Sequence, residues 1–156
     1  MVRLPESKIP PINITGATEQ NIDLKAQVLA HSRVLWVDDH PDNNSIVRHF
    51  FEKKLGITFH IAKSTNEALK QLGDKSQGSV PGGYDLVITT FSRQNEPTGG
   101  FDLLTAIRTN YHWIPVIIYA KSADTIRQQG MAFGADGITS DPQELFDLSV
   151  RALLRR

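Results

Sequence analysis

The chain contains no cysteine. Disulfides, thiol catalysis and cysteine metal sites are therefore excluded, and the composition fits a reducing, cytoplasmic setting. It also lacks an excess of either charge: Lys+Arg and Asp+Glu both number 17, a formal net charge of zero. Bulk electrostatics thus gives no support to nucleic-acid or membrane-surface binding. No apolar run approaches the roughly 18 residues of a membrane span. Met1 to Pro11 carries Pro5, Pro10 and Pro11 but no long apolar block, unlike a signal peptide or an anchor. There is no Gly-x-Gly-x-x-Gly and no glycine-rich loop ending in Lys-Ser/Thr, so a nucleotide would find no phosphate cradle. His31, His40, His49, His60 and His112 do not form a metal-binding pair with a matching acid, which argues against a structural metal.

What the chain does have is 156 residues, 40% of them hydrophobic and 22% charged, ordinary for one globular domain with an extension. Its organising stretch is Arg33-Val-Leu-Trp-Val-Asp-Asp-His40. A short continuous apolar run reads as a strand buried on both faces of a parallel sheet. Ligands bind beyond the carboxyl ends of such strands, where Asp38 and Asp39 stand. Two adjacent carboxylates repel, so the pair points to a cation or donors held there.

The same logic orders the rest. Met1 to Gly16 reads as a tail and Ala17 to Ser32 as a short amphipathic helix, so residues 1–32 form an extension to a domain at 33–156. Strands are expected at Arg33–Asp38, Ile57–Ala62, Tyr84–Thr90, Pro115–Tyr119 and near Ile138. Helices are expected from Pro41 to Leu55 with Gly56 as its stop, after a Ser64/Glu67 capping box, over Phe101–Thr109, from Ser122 to Phe133, and from Asp141 to Leu154. Gly73–Gly83 and Phe91–Gly100 read as loops. Gly130, inside a helix, costs about 1 kcal/mol against Ala and marks that helix as the softest. Strict alternation of strand and helix means βαβ units, a parallel sheet and a doubly wound α/β sandwich.

Val34-Leu-Trp-Val-Asp-Asp39, Tyr84-Asp-Leu-Val-Ile88, Pro115-Val-Ile-Ile118 and Gly134-Ala-Asp136, in this order and spacing, resemble the receiver domain of two-component response regulators. The likeness covers Arg33 to about Leu154. It implies a flavodoxin-like five-stranded parallel sheet of order 2-1-3-4-5. It also implies a phosphorylation pocket in which two acids hold Mg²⁺, an aspartate after strand three takes the phosphoryl group, and a Thr/Ser and a Lys contact its oxygens. Carried over residue by residue, the acid pair is Asp38 and Asp39. The acceptor position is Thr90, the hydroxyl position is Ala120 followed by Lys121, and the lysine position is Asp141. The aromatic position of strand five is Ile138. Only the acid pair matches.

A threonine hydroxyl is a poor nucleophile without an adjacent base, so Thr90 is expected to satisfy backbone groups instead. With the third carboxylate gone, Asp38 and Asp39 retain at most a weak Mg²⁺ site, and no other cofactor is expected. The metal-free expectation is that Asp39 helps cap the helix starting near Pro41 while Asp38 is solvated. Asp141, followed by Pro142 and Glu144, is expected to be an N-cap, and Lys121 to be either a partial counter-charge or a surface lysine.

The function this supports is a degenerate pseudo-receiver, not an enzyme, that signals by phosphorylation-independent protein contacts. One option is a homodimer through the last two helices or the N-terminal helix. Leu145, Leu148 and Ala152 form one apolar row of the last helix and Phe146, Val150 and Leu153 another. Either one row faces a partner or both make a wide core stripe. A second function is a stand-alone regulator phosphorylated at Thr90, Ser92 or Asp102. A third is a small nucleotide-cleaving enzyme using Asp38, Asp39 and Glu96.

Overall fold

Short β-branched runs flanked by helical segments build one parallel sheet. The computed structural model describes residues 12, 22–23, 26–73, 83–110 and 113–155. Most of the expected tail and of the Gly73–Gly83 loop therefore lies outside the described residues. The strands are β1 (Arg33–Val37), β2 (Thr58–Ala62), β3 (Leu86–Thr89), β4 (Val116–Tyr119) and β5 (Gly137–Thr139). All neighbours are parallel, in the order β2-β1-β3-β4-β5. The helices are α1 (Ala26–Ala30), α2 (Ser45–Leu55), α3 (Thr65–Leu72), α4 (Gly99–Asn110), α5 (Ala123–Ala132) and α6 (Pro142–Leu154). This is the expected flavodoxin-like fold.

Strand alternation splits the core into two layers. Leu35, Val37, Val87, Val116 and Ile118 meet α3, α4 and α5 on one face. Val34, Trp36, Leu86, Ile88 and Ile117 meet α2 and α6 on the other. Ile22 and Leu29 are buried in this second layer, and Ile12 packs on it. The described apolar side chains of the N-terminal segment thus pack on its own domain.

Both apolar rows of α6 do the same. Leu145, Phe146, Val150, Ala152 and Leu153 are all buried, and Leu148 packs over Gly137. The wide core stripe is the arrangement found.

Several boundaries differ from the sequence expectation. Pro41–Asn44 is a 3₁₀ turn, and the α-helix begins only at Ser45. Gly56, at φ 68°, stops it as expected. The Ser64 hydroxyl accepts from the Glu67 amide, but the Glu67 carboxylate reaches the Lys63 amide rather than that of Ser64. Ser122 occupies the N-cap of α5 without using its hydroxyl. α4 starts two residues before Phe101, at Gly99. The two glycines that open it pack against Arg93 and against the backbone at Thr90–Phe91, and a Cβ on either would collide.

Gly130 has a comparable reason. A Cβ there would collide with Ile138 Cδ1 and stand 3.2 Å from Phe101 Cε1. Helix propensity alone has Gly130→Ala stabilising by about 1 kcal/mol. Overpacking reverses the sign, and we expect a loss of about 1–2 kcal/mol in urea unfolding. Ile138→Val, which removes the clashing methyl, should recover much of that loss in the double variant.

Candidate functional site at the carboxyl edge

The carboxyl ends of β1, β3, β4 and β5 bring the sequence-selected residues to one edge. Asp38 follows β1 and continues the row of Val34 and Trp36, so it turns inward beneath α2. It is 3% exposed. Its Oδ2 accepts from the Trp36 indole Nε1 at 3.1 Å and from Asn44 Nδ2 at 3.0 Å. Its Oδ1 accepts from the His40 amide at 2.9 Å. The expectation of a solvated Asp38 is therefore corrected. Strand alternation carries its side chain to the buried face, where protein donors replace water.

Asp39 turns the other way. Its Oδ2 accepts from the Gln94 amide at 2.8 Å and lies 3.6 Å from His40 Nε2. It does not cap the turn at Pro41, whose N-cap is His40 with no side-chain bond. Arg48 stacks on Trp36, 5.3 Å from the ring, and donates to the Pro41 carbonyl at 2.7 Å. Burial lowers its guanidinium from the ordinary value, against the opposing pull of Asp38, Glu52 and Asp42. An arginine in such surroundings stays charged.

Thr90 stands just beyond β3. Its amide donates to the Val37 carbonyl at 2.9 Å and its hydroxyl to the same oxygen at 3.3 Å. It is a backbone-satisfying hydroxyl, as expected.

Asp141 is the N-cap of α6, accepting from the Gln143 amide at 3.2 Å, again as expected. Its negative charge is felt at the edge: burial first, and then Asp141, push the Tyr119 phenol above its usual value. Ala120 supplies no hydroxyl. Lys121 is exposed and makes no ion pair among the described residues, so it does not swing across to the acids. Ser92 donates to the Pro97 carbonyl, and Asp102 accepts from the Thr98 hydroxyl in the first turn of α4.

One residue was missed by the sequence reading. Arg93 is 5% exposed, in the polar loop expected over Phe91–Gly100. Its guanidinium donates to Glu96 Oε1 at 2.7 Å, Thr89 Oγ1 at 2.7 Å, the Thr90 carbonyl at 3.0 Å and Thr65 Oγ1 at 2.6 Å. Glu96 in turn accepts from the Thr65 amide at 3.1 Å and from its hydroxyl at 3.2 Å. The backbones of Arg93 and Glu96 pair in a tight antiparallel turn in which Asn95 takes the left-handed conformation, φ 62°. Glu96, considered above as a catalytic acid, is thus the partly exposed half of a clasp that ties the β3–α4 loop to the start of α3. The Arg93/Glu96 spacing was the sole signal for it, and that spacing is common.

The chain matches the family model of the response regulator receiver domain over residues 34–151, and it belongs to that family. It is thus a signalling domain of the two-component type. A two-component response regulator from Clostridium difficile is similar at 25% identity and TM-score 0.60, covering 80% of this chain and 97% of that one. A response regulator receiver domain protein from Clostridium thermocellum reaches TM-score 0.65 at 22% identity, over 80% and 95%. The response regulator TrrA from Thermotoga maritima, solved in complex with Mg²⁺–BeF, gives TM-score 0.60 at 23% identity, over 78% and 98%. No curated protein was found to match the chain. No helix among the described residues is long and apolar enough to cross a membrane.

Two predictions follow from the clasp. The Arg93 side chain is fully buried and that of Glu96 21% exposed. Leaving a buried polar group without its partner costs about 1–3 kcal/mol, so Arg93→Met, which strips donors from the Thr89 hydroxyl and the Thr90 carbonyl, should lose about 2 kcal/mol in urea unfolding. For Glu96, burial is the largest single influence and opposes ionisation. The hydrogen bonds from Arg93 and Thr65 together outweigh it and hold the carboxyl below its ordinary 4.5. A depressed folded-state value means the stabilisation is complete above 4.5 and fades as pH falls through the lower value. Acid unfolding of Glu96→Gln should therefore show a shallower dependence on pH in that window than the wild type.

Proposed function

We propose that this receiver domain works without accepting a phosphoryl group and acts through protein–protein contacts from one standing conformation. The observation that carries this is the residue beyond β3. Acyl-phosphate formation needs a carboxylate nucleophile there, and the chain presents Thr90, whose hydroxyl is engaged by Val37.

The surroundings support the same reading. The residues present do not fit a divalent cation. Asp38 is engaged by three donors and Asp39 by one, and the described residues contain no group of three His, Cys, Asp or Glu that could hold a metal. Mg²⁺ prefers octahedral oxygen ligands with little distortion, and two carboxylates already bonded to the protein offer few. Asp141 places an acid where the family resemblance implies a lysine, so a phosphoryl group would meet negative charge at that point. We infer no catalytic role for Asp38, Asp39 or Glu96. For contacts, Trp113, Met131 and Phe133 are the exposed large apolar side chains among the described residues, at 58%, 48% and 45%. Isolated ones are common on protein surfaces, and they supply candidate contact points rather than a defined patch.

The test is incubation with acetyl phosphate and millimolar Mg²⁺, followed by intact-mass spectrometry and thermal unfolding. We expect no phosphoryl adduct and no shift in Tm with Mg²⁺, with or without beryllofluoride. A phosphoryl adduct mapping to Thr90, Ser92 or Asp102 would overturn the reading in favour of an atypical acceptor.

A further inference from the structure

We propose that Asp38 and Asp39 serve as a hydrogen-bonding clamp that seats the two loops at the carboxyl edge with protein donors. The inference deepens the reading above, since it says what the acid pair does in a receiver that is not phosphorylated.

The Trp36 side chain is 1% exposed, and an indole N–H is a donor with no acceptor function. Buried donors are almost always satisfied, so a tryptophan at position 36 requires an acceptor within reach. Asp38 Oδ2 provides it, and the same oxygen takes Asn44 Nδ2 from the 3₁₀ turn. Asp38 Oδ1 takes the His40 amide, which sets the chain's exit from β1. One carboxylate thereby fixes the strand end, the turn and the start of α2.

Asp39 acts across the edge. Its bond to the Gln94 amide joins residues 55 apart and pins the β3–α4 loop to the end of β1. Arg93, next in sequence to Gln94, holds the same loop from the other side through Thr89, Thr90 and Thr65.

The number of donors makes the proposal specific. Asp38 meets donors on both oxygens, and an asparagine has one oxygen. In Asp38→Asn, either the His40 amide or the Trp36/Asn44 pair must face an NH₂ group. The sign of the effect separates a clamp from a metal site. In a metal site without its ion, removing one of two adjacent carboxylates relieves repulsion and stabilises the protein. In a clamp it destabilises.

The experiment is urea unfolding of the full chain in EDTA for wild type, Asp38→Asn, Trp36→Phe and the double variant, repeated in millimolar Mg²⁺. For Asp38→Asn we expect the folding equilibrium constant in EDTA to fall about thirtyfold or more. For Trp36→Phe we expect a fall of about tenfold or more in the wild-type background and a fall a few-fold smaller in the Asp38→Asn background, where the packing loss remains but the Nε1 bond to a charged acceptor is already weakened or lost. If Asp38→Asn fails to fold, Asp38→Glu and Asp39→Asn replace it, each expected to be less stable than wild type in EDTA. Asp38→Asn at or above wild-type stability in EDTA would overturn the clamp, as would full additivity with Trp36→Phe. Mg²⁺ stabilisation of the wild type, with Asp38→Asn still destabilised in EDTA, would instead count against the phosphorylation-independent reading and leave the clamp standing.

Discussion

A carboxylate withdrawn from water must be met by donors, and Asp38 is met by three. The cost of burying an unpaired charge is far larger than the stability of a domain, so its surroundings are constrained to supply them. The indole of Trp36, the side chain of Asn44 and the amide of His40 are these donors. Trp36 in turn packs edge-on against Phe59 and Tyr119, with Arg48 on its face. The acid at the sheet edge is therefore continuous with the core layer beneath α2 and α6. A change at Asp38 is a change in the core.

The opposite layer has its own constraint. Arg93 brings a buried cation under the β3–α4 loop, and the start of α4 is shaped around it. Gly99 leaves room for the guanidinium and Gly100 for the Thr90 carbonyl. Glu96 answers the charge and Thr65 accepts and donates between them. Together with the Asp39–Gln94 bond, this fastens the β3–α4 loop to the end of β1 and to the start of α3.

Much of the fold was legible because its signals are local. Val34–Val37, Leu86–Thr89 and Val116–Tyr119 are continuous apolar or β-branched runs, and strands buried on both faces look like this. Gly56 and Asp141 end and begin helices by backbone and capping chemistry confined to a few residues. The site was less legible because its bonds are not local. Thr65 reaches Glu96 across 31 residues and Gln94 reaches Asp39 across 55. Arg93 sits in a stretch whose polarity read as a loop, and burial of that arginine follows only from tertiary structure. The burial of Asp38 was missed for a simpler reason. Asp38 shares the face of Trp36 by strand alternation, and that face is covered by α2.

The most direct test of the account is hydrogen exchange at the Trp36 indole Nε1–H, followed by NMR in EDTA in a Trp113→Phe background. A donor held by a buried carboxylate should exchange about as slowly as the β1 amides, with a resonance unmoved by millimolar Mg²⁺ or beryllofluoride. An indole proton that exchanges freely in EDTA, or that shifts when Mg²⁺ is added, would contradict the claim that protein donors, rather than a cation, satisfy this edge.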